Sequence, residues 1–266
     1  MSRHEDELRE SGLFLPINPP KVINICSDKN QTCEFLQRAG FTVPFSEKIT
    51  SVDQLRDFDR LPAVLKPSIG GGGSANLFLA QTSDELKFFG EHLLSIYSEF
   101  VVQEYVGTPD SEFTVGVLSD MNGSFINSIA VRRNILSSLS NRLKIPNRTG
   151  NPDLGPVLAI SNGVSQGYIG RFPEVTETCE DIAKALGSRG AINIQCRLFK
   201  GAVYVFEINP RFSGTTSLRA MVGYNEPDIL IRKHLLGEEI APRFAYQSGM
   251  IVRGLAEAFV GNHTGV

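Results

Sequence analysis

The sequence predicts an α+β fold, and three stretches carry that expectation. Residues 191–209 read as a β-hairpin, residues 63–80 as two strands joined through a glycine-rich loop, and residues 112–133 as a second hairpin. Short connections of this kind pair neighbouring strands antiparallel. The amphipathic helices between them supply the layer that buries each sheet's apolar face.

Taken in order, VINIC at 22–26 reads as a short buried strand. Asp28 then stands at a helix N-cap, and Cys33, Leu36 and Ala39 recur at helical spacing until Gly40 stops the run. Lys29 falls in the first turn of that helix, a place where a lysine is also at home as solvated surface. A second short helix is expected at 52–58. Ala63 to Leu65 is an apolar strand, and Pro67 biases Lys66 towards an extended conformation at its end. Gly70 to Gly73 and Ser74 follow, then a returning strand at 77–80. Consecutive glycines let backbone N–H groups approach phosphate oxygens, but the run also suits a flexible hairpin tip.

Thr82 to Glu85 opens a helix running to about Ser98, with Ser83 expected as its cap. Phe100 to Val102 is a buried strand ending in Gln103-Glu104-Tyr105-Val106, and Glu112 begins the next. Residues 137–170 are polar, contain Arg142, Lys144 and Arg148, and read as a mobile lid. Pro173 to Leu186 is an amphipathic helix closed by Gly187. One or two helices follow residue 215, and a strand over 250–259 ends the domain.

The hairpin at 191–209 concentrates the chemistry. A strict two-residue turn at Lys200-Gly201 pairs Gln195 with Phe206, whereas an odd-length loop with a bulge at Gly201 pairs Gln195 with Glu207. The odd loop is expected. It brings Gln195, Glu207 and Asn209 onto one face, an all-oxygen set suited to Mg²⁺ with water and phosphate as further ligands. Arg211 adds a planar cation just beyond. An ordinary amphipathic hairpin with a solvated polar face would show the same alternation.

Composition narrows the class. The 266 residues are 41% hydrophobic and 21% charged with a net charge of −3, which gives no general attraction for nucleic acid or an anionic membrane. Cys26, Cys33, Cys179 and Cys196 show no CxxC spacing, so a reduced, cytoplasmic protein is expected. No apolar run reaches the roughly 18 residues of a membrane span, and the charged start MSRHEDELRE does not read as a signal peptide. No Ser-His-Asp, Cys-His or clustered-histidine arrangement stands out.

The order of these elements, with VLKPSIGGGGS and VFEINPRFSG together, resembles the ATP-grasp superfamily. The likeness is to its carbamoyl phosphate synthetase large-chain type and amino-acid ligase relatives, and it covers roughly residues 22–260. The resemblance implies two α+β lobes with antiparallel sheets gripping a nucleotide, a smaller clamping lobe at 60–106 and a larger catalytic lobe at 107–266. Residues 1–27 would be a remnant or linker of a preceding domain, with the ATP-grasp domain at 28–266. It implies ATP and Mg²⁺ (or Mn²⁺) as cofactors. Lys29 and Lys66 would hold the phosphates, with Gly71, Gly72, Gly73 and Ser74 folding over them. Glu104, Tyr105 and Val106 would line the adenine site, with Glu112 towards the ribose. Gln195, Glu207 and Asn209 would ligate the metal. Arg211, with Arg132 or Arg133, would steady the transferring phosphoryl group, and Ser213 to Thr215 would join that anion site. The implied activity joins a small carboxylate to an amine or thiol through an acyl-phosphate. Phosphorylation of bicarbonate or carbamate is the alternative, as is an ATP-binding subunit without turnover. Implied partners are a homodimer mate or a separate chain supplying the Rossmann-like lobe that relatives carry before the first lysine.

Overall fold

Two antiparallel sheets organise the molecule. The structure is a computed structural model, and it describes residues 4–69 and 76–254. The loop of Gly70 to Ser74 and the end of the expected last strand therefore lie outside the described residues. Helices α1 (Glu5–Glu10), α2 (Pro20–Ser27) and α3 (Lys29–Arg38) open the chain. Residues 22–26 are thus helical where the apolar run predicts a strand. Pro20 at the first helical position starts α2, as its fixed φ and missing N–H favour. Val22 buries against the large sheet with Ile25 and Cys26 beside it. Asp28 caps α3, accepting from the Asn30 and Gln31 N–H groups.

The smaller sheet has the order β1-β4-β2-β3, from β1 (Ser46–Ile49), β4 (Phe100–Glu104), β2 (Ala63–Pro67) and β3 (Phe78–Ala80). Helix α4 (Ser83–Leu94) covers one face, with Leu86 and Leu93 against Leu65, Phe100 and Val102. Its cap is Thr82, whose side chain accepts from the Glu85 N–H, not the expected Ser83. Val64 and Lys66 alternate onto the other face.

The larger sheet has the order β11-β10-β5-β6-β9-β12, from β5 (Glu112–Ser119), β6 (Phe125–Arg133), β9 (Gly167–Gly170), β10 (Gly190–Phe199), β11 (Ala202–Asn209) and β12 (Gly249–Ile251). Helix α5 (Pro173–Leu186) packs on one face through Val175, Cys179, Ile182 and Leu186. Burial of each such aliphatic side chain is worth about 1.5–3 kcal/mol. Gly187 ends it in the left-handed conformation at φ +70°. Helices α6 (Thr216–Met221) and α7 (Glu226–His234) cover part of the opposite face through Leu218, Ile229 and Leu230.

The stretch expected to be a mobile lid is a built part of the fold. It forms a two-stranded ribbon of β7 (Asn141–Pro146) and β8 (Val157–Ser161). Leu143, Ile145, Leu158 and Ile160 pack with Val64, Leu77, Leu79 and Tyr105. Its polar composition reflects one exposed face; the alternate residues supply enough apolar surface to dock.

Candidate nucleotide cleft and its hairpin

The hairpin β10–β11 pairs Gln195 with Glu207 and Asn193 with Asn209. The pairing is the expected one, but its cause differs. Phe199 faces Ala202 across a strict two-residue turn in which Lys200 and Gly201 both have positive φ, +49° and +79°, as a tight hairpin turn of this hand requires. The register shift lies instead between Gln195 and Cys196, where Phe206 is the extra residue. A bulge re-aims the strand, and here it turns the Phe206 carbonyl to accept from Lys66 Nζ at 3.3 Å. The smaller sheet's lysine thereby touches the larger sheet.

Lys66 also donates to Gln103 Oε1 at 2.9 Å. Its burial, with Lys29 nearby, pulls its pKa down to about 8 against the opposing pull of Glu207. Burial likewise lowers Lys29, with Glu207 and Asp28 resisting. Lys29, Lys66 and Glu207 therefore converge on one cleft from α3, β2 and β11. That cleft holds about 970 Å³ of empty space, counting the part open to solvent. Glu104, Tyr105, Val106, Glu112 and Gln195 also line it.

Several of these side chains are already committed to protein groups. Glu104 Oε1 accepts from the Phe45 N–H at 2.8 Å. The buried Tyr105 hydroxyl donates to the Ala159 carbonyl and accepts from the Ala159 N–H, both at 3.0 Å, and so fastens the ribbon to β4. Glu112, only 2% exposed, is held by two buried arginines: Arg133 Nη1 at 3.0 Å on one oxygen, Arg197 Nη2 at 3.0 Å on the other. Its carboxylate is thus a buried clamp at the cleft wall. Arg133 further donates to Ser161 Oγ, to the Asn162 and Val164 carbonyls, and at 3.5 Å to Gln195 Oε1. Its Nη atoms orient the site's wall. Arg132 alternates onto the opposite face of β6, where it is exposed; it does not share the cleft with Arg133, because neighbouring residues of a strand point apart.

Asn209 Nδ2 donates to Glu207 Oε1 at 2.9 Å, and Arg211 Nη2 donates to Asn209 Oδ1 at 3.2 Å. Arg211 is exposed and stands past the cleft lining, followed by a turn in which Ser213 Oγ accepts from Thr215. Gln195, Glu207 and Asn209 offer one carboxylate and two amide oxygens on one face, a donor set that fits Mg²⁺. Among the described residues, no cluster of three His, Cys, Asp or Glu side chains could hold a metal.

Arg197 completes the wall. Arg197 lies two residues beyond Gln195 on the same face, a position the alternation could have flagged; it stacks over Tyr105 with Cζ 4.3 Å from the ring centroid. Burial opposes its charge, but Glu112 and Tyr105 leave its pKa raised. At the other end of the same polar stripe, Arg219 and Glu226 form a buried pair at 2.9 Å. Arg219 also donates to Asn193 Oδ1 at 2.6 Å. Gly116 opposite leaves room for that guanidinium: a Cβ there would lie 2.4 Å from Arg219 Nη1. Arg197 meets Glu112 from 85 residues away and Arg219 meets Asn193 from 26 residues away, contacts that periodicity does not reveal.

Comparison with known proteins decides the fold. A family model described as ATP-grasp in the biosynthetic pathway with Ter operon matches residues 161–258. The biotin carboxylase of Campylobacter jejuni, solved as a beta-gamma-ATP complex, superposes with a TM-score of 0.63 at 16% identity, over 87% of this chain and 51% of that one. The chain has the ATP-grasp fold. An uncharacterized protein of Methanocaldococcus jannaschii is 25% identical over 232 residues, 86% of this chain and 52% of that protein. The carbamoyl phosphate synthase large chain of Clostridium beijerinckii is 27% identical over 217 residues, 78% of this chain and 18% of its own length. The resemblance read from the sequence is thus borne out. The chain spans about half of the first relative and under a fifth of the second. Among the described residues, no helix is long and apolar enough to cross a membrane.

Proposed function

We propose that the chain is an ATP-dependent ligase that joins a small carboxylic acid to an amine, or to a thiol, through an acyl-phosphate. The observation that carries this reading is the convergence of Lys29, Lys66 and Glu207 on one cleft. Two partly desolvated lysines would meet a polyphosphate there, and the smaller sheet would clamp it against the larger. Gln195, Glu207 and Asn209 would hold Mg²⁺, which when bound neutralises phosphate charge and orients the terminal phosphoryl group. A carboxylate oxygen of the acid attacks the γ-phosphorus, the bond to the bridging oxygen breaks, and ADP leaves. The amine nitrogen then attacks the acyl carbon and expels phosphate. Arg211, just beyond Asn209, would neutralise charge on the transferring group. Positioning and charge account for such chemistry without a nucleophilic side chain.

Phosphorylation of bicarbonate or carbamate is the second reading, favoured by the match to carbamoyl phosphate synthase large chains over most of this chain. A further domain or a partner chain completing the acceptor site accords with the share of those relatives that the chain spans. The test is ADP release from Mg²⁺·ATP in a screen of carboxylic acids, bicarbonate and amines. Acid-dependent release that Glu207→Ala abolishes supports ligation, and bicarbonate-dependent release selects the second reading. If a folded wild-type chain binds ATP but releases no ADP with any substrate, alone or with candidate partners, catalysis is rejected.

A further inference from the structure

Asn18, between α1 and α2, is 1% exposed, and every hydrogen-bonding position of its amide is used. Nδ2 donates to the Ala191 carbonyl at 2.9 Å and to the Pro210 carbonyl at 3.1 Å. Oδ1 accepts from Ser188 Oγ at 2.9 Å and from the Arg189 N–H at 3.0 Å. An amide has two donors and two acceptor positions, so this one is spent on holding its surroundings.

The two carbonyls belong to opposite sides of the β10–β11 hairpin. Ala191 lies near the start of β10, and Pro210 follows the last residue of β11. The last rung of that ladder is Asn193 with Asn209. Beyond it the Pro210 carbonyl has no strand to pair with, and Asn18 reaches it from 192 residues away in sequence. Pro210 stands between Asn209 and Arg211, and the Arg211 N–H turns back to the Asn209 carbonyl at 2.8 Å. Fixing the Pro210 carbonyl fixes the peptide plane that leads into Arg211, and with it the direction in which the Arg211 side chain leaves the backbone.

We propose that Asn18 is a positioning residue for the phosphoryl-facing end of the site: it aims Arg211, and through the same peptide Asn209, at the terminal phosphate. The inference rests on the reading of those two residues as ligands of Mg²⁺ and the γ-phosphate. Residues 14–27 on this account are part of the site's frame, although the sequence suggests a remnant or linker.

Asn18→Asp tests the tie. It preserves shape and the acceptors for Ser188 and Arg189, but it replaces the donor facing two carbonyls with a carboxylate oxygen. Calorimetry with metal-free ADP and with Mg²⁺ plus a non-hydrolysable ATP analogue separates the two ends of the cleft. ADP affinity should stay within about twofold of wild type while affinity for the Mg²⁺-bound analogue falls about tenfold, the scale of a lost outer-shell partner. Lowering the pH to protonate the new carboxyl should narrow that gap relative to wild type at the same pH, since a donor returns. Ser188→Ala, which leaves both Nδ2 bonds in place, should leave both affinities unchanged. If Asn18→Asp does not fold, Asn18→Ser removes the buried charge and should show the same split. Equal weakening of both ligands, or no change in either, overturns the proposal. A wild-type chain that fails to bind the Mg²⁺-bound analogue overturns the nucleotide reading itself.

Discussion

Lys66 should take up a proton when nucleotide binds. In the ligand-free protein, burial and the neighbouring Lys29 leave it titrating near 8 instead of 10.5. A group with that pKa is about three-quarters neutral at pH 8.5 and about one-tenth neutral at pH 7.0. Phosphate oxygens at its Nζ favour the ammonium form, so binding should draw in about 0.75 proton at pH 8.5 but only about 0.1 at pH 7.0. Lys29, lowered by burial as well, acts in the same direction. Titrating a non-hydrolysable ATP analogue calorimetrically in buffers of different ionisation enthalpy gives the uptake directly. Affinity should also fall as pH rises above about 8. The sign for stability is the reverse. Because the folded pKa lies below the unfolded value, the unfolded chain binds more protons between about 8 and 10.5, and Lys66's contribution to stability rises with pH through that window. Equal uptake at pH 7.0 and 8.5 would refute the burial argument.

Two other substitutions probe the frame. Glu226→Ala strands the Arg219 guanidinium, which with its partner is 1% and 0% exposed; the loss should be about 3–5 kcal/mol. Thermal unfolding should shift down by at least about 6 °C, and Arg219→Met combined with Glu226→Leu should recover part of it; an unchanged midpoint would contradict the buried-pair account. Tyr105→Phe removes both hydroxyl bonds to Ala159 at about 1–3 kcal/mol, and amide hydrogen exchange should quicken selectively across residues 141–161.

The sequence made legible what periodicity and end signals encode. Asp28, Gly187 and the alternation in β10 and β11 are local features, and each element they mark is present. The failures have physical causes too. VINIC is apolar enough for either a strand or a buried helix face, and Pro20 together with packing on the large sheet favours the helix. The 137–170 stretch looked polar because alternation in β7 leaves only Leu143 and Ile145 on its inner face. The resemblance places Glu112 towards the ribose, but no local signal reveals the two arginines that hold it, because Arg133 and Arg197 are 21 and 85 residues away. The expected pairing of Gln195 with Glu207 is present, yet the bulge sits at Phe206 and not at the turn. No local rule places a bulge there; the contact of its carbonyl with Lys66, 140 residues distant, is a tertiary one.

On the proposed reading, this cleft binds ATP with a divalent metal held by the hairpin. Titrating the wild-type chain and Glu207→Ala with a non-hydrolysable ATP analogue, with and without Mg²⁺, tests it most directly. Mg²⁺ should strengthen binding to wild type, and Glu207→Ala, while still folded, should lose that gain. Binding by wild type that ignores Mg²⁺, or a mutant that keeps the full metal dependence, would contradict it.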